Sequence, residues 1–76
     1  MKPMNDEFIS LVMANQRKIY SFIVHFVPNR SDADDLFQET VALMWEKFKI
    51  FEEGTSFAAW GIQIAHYKRL LSSQRL

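Results

Sequence analysis

Seventy-six residues, 49% of them hydrophobic and 14% aromatic, suffice for one small packed domain and no more. The absence of cysteine excludes disulfides and thiolate metal sites, and two glycines with two prolines favour a few long helices over strands and turns. A net charge of zero argues against a stand-alone nucleic-acid binder, and no apolar run is long enough to span a bilayer or reads as a secretory leader.

The first helix is expected from about residue 5 to residue 27. Phe8, Val12, Ile19, Ile23 and Val27 recur at helical spacing, with Ile9, Tyr20 and Phe26 beside them. Pro28 and Asn29 then break the pattern, because a residue before proline is pushed out of helical geometry and asparagine favours turns. The second helix is expected over 31–50. Ser31 and Asp34 have capping-box spacing, and Asp32, Asp34 and Asp35 crowd the first turn, where the helix dipole favours negative charge. Leu36, Phe37, Val41, Leu43, Met44, Trp45 and Phe48 cover most of its circumference, so this helix should pack on both flanks. The gap in that apolar cover is one stripe: Asp35, Gln38, Glu39, Ala42, Glu46 and Lys49, three or four residues apart and therefore on one face.

Residues 51–55 read as a connector, with Gly54 free to take positive φ. Thr55 or Ser56 should cap a third helix over about 56–73. Phe57, Trp60, Ile64 and Leu71 mark its inner face, while Ser56, Ala59, Gln63, His66 and Gln74 fall on another with Tyr67 at the border. Three helices joined by short turns predict an all-α fold, a compact bundle of three main helices with antiparallel neighbours.

Charge is unevenly spread. Residues 1–30 carry +2; residues 31–53 carry seven acids against Lys47 and Lys49, which is −5; residues 54–76 carry Lys68, Arg69 and Arg75 and no acid, which is +3. An acidic middle beside a basic end predicts two surfaces with two different partners. Catalysis finds little support. His25 and His66 are far apart and lack metal-ligand spacing, the acid pairs Asp34/Asp35 and Glu52/Glu53 sit at a helix start and a turn, and there is neither a phosphate loop nor a nucleophile motif. The acidic stripe could simply be a solvated face, yet it is poor in the lysines that would form i,i+4 pairs along it. In the third helix and its connector, Phe51, Phe57, Trp60 and Tyr67 interleave with Lys68, Arg69 and Arg75. Aromatic faces stack on unpaired bases and cations hold phosphates, although Phe57 and Trp60 at helical spacing are more often core than stacking platform.

In order along the chain, these residues resemble region 2 of the sigma-70 family in its short extracytoplasmic-function form. Asp32-Ala33-Asp34-Asp35-Leu36-Phe37-Gln38-Glu39-Thr40, followed by Leu43, Trp45 and Phe48, is similar to the family's acidic second-helix segment. Ser56-Phe57-Ala58-Ala59-Trp60-Gly61-Ile62-Gln63-Ile64-Ala65 resembles its "FxxWLxxIAxN" segment, and Phe8, Tyr20 and Ile23 match its looser opening. Two departures stand out. His66-Tyr67 occupies the place of a common asparagine, and Gly61 that of a bulky apolar residue, at about 1 kcal/mol of helix propensity relative to alanine.

The resemblance implies three main helices and two tasks. The second helix would dock on the clamp helices of the β′ subunit of core RNA polymerase through Asp35, Gln38 and Glu39, with Glu46 on the same stripe and Leu36 beneath as core support. The third helix and the loop before it would bind promoter DNA, chiefly the non-template strand of the minus-ten element, and hold it open. Thr55, Ser56, Gln63, His66, Tyr67, Lys68 and Arg69 are the candidates there, with residues 53–55 near an extruded base and with Phe57 and Trp60 structural. It further implies a cytoplasmic transcription-initiation factor that is no enzyme, needs no cofactor or metal, does not bind a membrane and has an anti-sigma factor as a further partner. The family's second promoter-reading domain, region 4, is absent from these 76 residues. Self-association through unused docking surfaces is also expected. Two rival readings are a helix-turn-helix repressor fragment that reads duplex DNA alone and an interaction bundle that sequesters another regulator.

Overall fold

The computed structural model describes the backbone of residues 3–74 and the side-chain surroundings of residues 6–71. It holds three α-helices, α1 (Pro3–Phe26), α2 (Arg30–Glu46) and α3 (Phe57–Gln74), and a 3-10 helix at Phe48–Ile50. There is no strand among the described residues. Arg75 and Lys2 lie outside that range, and so does the side chain of Gln74.

Each boundary has a local cause. Proline is tolerated in a first helical turn, where its missing N–H would have no partner, so α1 begins at Pro3, before the expected residue 5. Val27 N–H still donates to Ile23 O at 2.8 Å as the chain leaves α1 ahead of Pro28. The cap of α2 is Asn29, not Ser31. Asn29 is extended (φ −68°, ψ 121°) after Pro28, and its Oδ1 accepts from Asp32 N–H at 3.0 Å, which starts the helix at Arg30. The C-terminus of α2 also departs from expectation: the α-helix stops at Glu46, and the last turn, Phe48–Ile50, tightens to a 3-10 helix. Side chains three apart eclipse in that geometry. The Phe48 and Phe51 rings accordingly lie almost parallel, 6.0 Å apart and inclined by 11°. A continued α-helix would have splayed them.

The connector turns on Gly54, whose φ of +91° lies in the region that L side chains avoid. Thr55 Oγ1 donates to Glu52 O at 2.6 Å and closes the turn. Ser56 Oγ accepts from Ala59 N–H at 3.1 Å, so of the two expected caps Ser56 is the one used.

Consecutive helices run antiparallel, which leaves α1 and α3 parallel. Phe8 meets Trp45 and Phe57 at one end, and Phe26 meets Arg69 at the other. Phe8, Ile19, Ile23, Leu36, Met44, Phe48, Phe57, Ile64 and Ala65 form the buried core, as the periodicity predicts for most of them. Leu71, expected inside, is 41% exposed; it lies two residues beyond Arg69, which already sits over Phe26, the last residue of α1.

Six aromatic rings close the end nearest the connector. Phe8, Trp45, Phe48, Phe51, Phe57 and Trp60 form pairs with centroids 5.0–6.5 Å apart, mostly tilted or edge-on. Such pairs contribute about 0.5–1.5 kcal/mol beyond the area they bury. They tie the start of α1, the end of α2 and the start of α3 into one unit, which fixes where the connector sits.

The middle of the bundle is tight. Gly61 is buried, and a Cβ placed there would lie 2.6 Å from Ile19 Cδ1 and 3.0 Å from Met44 Cε. The departure at Gly61 thus has a steric reason: Ile19 and Met44 fill the volume a side chain would take. Thr40 is wholly buried on α2, and its Oγ1 has no hydrogen-bond partner. Thr40→Val keeps the shape and removes the unsatisfied hydroxyl, so it is expected to stabilise the domain by about 1 kcal/mol. A urea midpoint that rises with an unchanged slope would show it; a fall would mean that the hydroxyl is satisfied.

Candidate functional site

The acidic stripe of α2 faces solvent along its whole length. Asp35, Gln38, Glu39, Ala42 and Glu46 are exposed, as is Lys49 in the 3-10 turn, while Leu36, Thr40 and Met44 are buried on the opposite side. Leu36, expected as core support, is 8% exposed. The stripe is outward because α2 is held on both flanks, by α1 through Phe37 and Trp45 and by α3 around Met44 and Gly61.

On the α1 flank Tyr20 packs edge-on against Phe37, and its hydroxyl donates to Asp34 Oδ1 at 2.6 Å. The Asp34 carboxylate holds the tyrosine proton and raises its pKa above the ordinary value of 10.0, aided by desolvation. The folded chain therefore favours the protonated phenol. This contact contributes at neutral pH and is lost as alkali ionises Tyr20, above the unfolded pKa. An open cleft of about 290 Å³, lined by Gln16, Arg17, Tyr20 and Phe37, borders this pair. Neither feature had a sequence signal, since residues 14 apart on different helices share no spacing rule.

The α3 residues split three ways. Gln63, His66 and Tyr67 are exposed and, three or four apart, share a face that also presents Ala59 and Leu70. Thr55 and Ser56 are exposed but occupied as the turn and the cap. Lys68 and Arg69 are half-buried and engaged within the bundle. Lys68 Nζ lies 3.8 Å from Glu39 Oε1, and the Arg69 guanidinium carbon sits 4.9 Å above the Phe26 ring with Nη2 3.4 Å from His66 Nδ1. Arg69 Nε is buried without a partner. Of the aromatic candidates, Phe57 is core, Phe51 and Trp60 are half-buried in the ring cluster, and Tyr67 is 54% exposed.

Beside the connector, Glu7, Phe48, Lys49, Phe51 and Glu53 line a second open cleft of about 320 Å³. No cluster of three or more metal-ligating side chains occurs among the described residues. No described helix is long and apolar enough to cross a membrane.

A family model described as Sigma-70 region 2 matches residues 11–74. No curated protein and no solved structure matches the chain.

Proposed function

The chain belongs to the Sigma-70 region 2 family, whose members act in transcription initiation with core RNA polymerase and promoter DNA, and from that membership we propose how its surfaces divide the work. The exposed stripe of α2 docks on the β′ clamp helices, with Asp35, Gln38, Glu39 and Glu46 meeting a basic groove. The outer face of α3 binds the non-template strand of the minus-ten element: Tyr67 stacks on a base, Gln63 and His66 offer polar contacts, and Lys68 and Arg69 lie at the edges. Thr55 and Ser56 hold the connector against the strand, near the cleft beside Glu53, where an extruded base would be received. Extrusion costs a few kcal/mol of stacking, which the pocket must return. The extracytoplasmic-function subtype, a cytoplasmic location and an anti-sigma partner belong to the same reading. So does the view of residues 1–76 as a single region 2 domain.

The observation that carries this reading is the water-facing acidic stripe along α2, opposite the buried Leu36, Thr40 and Met44. Charge complementarity of this kind speeds and orients docking, and juxtaposing like charges costs several kcal/mol. Asp35→Lys combined with Gln38→Ala leaves the Glu39–Lys68 pair in place and is expected to weaken core-polymerase binding at least about tenfold. A pull-down with titrated core polymerase reads this, and normal binding would remove α2 from the docking role. Tyr67→Ala should leave that binding unchanged and cost about 1–3 kcal/mol of single-strand affinity in the polymerase complex. Full promoter opening by that variant would take the stacking role from Tyr67.

A further inference from the structure

Among the described residues, α3 carries two cationic side chains, Lys68 and Arg69, and both are half-buried against neighbouring helices. Arg69 is turned to α1, where it lies over Phe26 at 4.9 Å. Lys68 is turned to α2, where its ammonium faces Glu39 at 3.8 Å. The Lys68 side chain is 27% exposed, so most of its stem is covered, while Glu39 is 55% exposed and stands on the stripe with Asp35, Gln38 and Glu46. One carboxylate thus belongs to both proposed surfaces. It is part of the docking stripe, and it neutralises the ammonium that the DNA face would offer to a phosphate.

Resting on the functional reading above, we propose that the Glu39–Lys68 ion pair is a latch between the two faces. In the free chain Glu39 holds Lys68 and repels a phosphate approaching the same ammonium. When a basic protein groove covers the α2 stripe, Glu39 takes a new cationic partner and Lys68 is released to the DNA backbone. The latch suits this task because it lies at the rim of the α2–α3 contact. A buried pair would leave an uncompensated charge on opening, whereas here water solvates both ends. Linkage makes the effect reciprocal: DNA bound through Lys68 frees Glu39 and tightens docking by the same factor. An exposed pair supports a coupling of about two- to fivefold, and added salt weakens it.

The test is a double-mutant cycle at low salt. The unaltered chain, Glu39→Gln, Lys68→Gln and the double variant are each titrated with a fluorescent minus-ten non-template strand, free and in complex with core RNA polymerase. Free Glu39→Gln is expected to bind the strand about two- to fivefold more tightly than the unaltered chain. In the Lys68→Gln background the same change should have no effect, and in the polymerase complex the gain should vanish, since Glu39 is already engaged there. Asp35→Asn removes an equal charge from the stripe without touching the pair, and it should give a smaller gain than Glu39→Gln. The latch is overturned if free Glu39→Gln binds no more tightly, or if its gain persists without Lys68, which would make Glu39 mere background charge. Strand binding in the polymerase complex without Glu39–Lys68 coupling sinks the latch alone. Absence of strand binding by every variant, even with polymerase, sinks the DNA role of α3 and the latch with it.

Discussion

Gly61→Leu is expected to abolish cooperative folding of the domain. A Cβ alone would approach Ile19 Cδ1 to 2.6 Å, Met44 Cε to 3.0 Å and Ile19 Cγ1 to 3.2 Å. Both neighbours are completely buried, so neither can swing into solvent to make room. Gly61→Ala brings in one methyl and recovers about 1 kcal/mol of helix propensity. It should therefore lie within about 2 kcal/mol of the unaltered chain, because overpacking by a methylene costs about 1–3 kcal/mol. Leucine adds three further carbons at the point where all three helices meet. Stability for a chain of this size is roughly 4–11 kcal/mol, so forcing the helices apart there threatens most of it. Urea unfolding followed by circular dichroism checks this, and an unchanged midpoint would mean that the α1–α3 crossing is looser than the geometry requires. Ile19→Ala should partly rescue Gly61→Leu while costing about 2–5 kcal/mol alone, a sign reversal that identifies competition for one volume.

Phe8→Ala is expected to cost about 3–5 kcal/mol, the usual range for removing a buried phenyl ring. Phe8 is 6% exposed and touches Trp45, Phe48 and Phe57 at centroid distances of 5.2, 5.1 and 6.1 Å. It is the α1 member of the ring cluster, so its loss releases the connector end while leaving the Ile19–Met44–Gly61 crossing packed. The urea midpoint should fall by a third or more, and amide exchange should accelerate first in residues 48–60, whose opening becomes easier than global unfolding. Loss below about 1 kcal/mol would show that the start of α1 adds little to the fold.

Much of this was legible in the chain. Periodic apolar residues marked the core of α1 at Phe8, Ile19 and Ile23, because a helix buries what recurs every three or four positions; of the apolar cover of α2, Leu36 and Met44 are buried while Trp45 is 41% exposed. The stripe Asp35, Gln38, Glu39 and Glu46 could be read as one exposed face for the same reason: 100° per residue leaves no other arrangement. Ends were harder. Asn29 and Ser31 are both competent caps, and the choice fell to the backbone geometry that Pro28 imposes. The 3-10 turn over Phe48–Ile50, which lines up the Phe48 and Phe51 rings, had no signal in the local spacing.

Local spacing and composition were enough to set the helical class, the three segments and most of the division between wet and dry faces; Leu71 on α3 and Trp45 on α2 are the exceptions. Relations between helices emerged from packing alone: that Gly61 is a contact and not a defect, that Tyr20 hydrogen-bonds Asp34, and that Glu39 reaches Lys68. Such pairs are 14 to 42 positions apart in the chain. Side chains that far apart meet only after the helices have chosen their order and depth of packing, a choice made by the whole core at once.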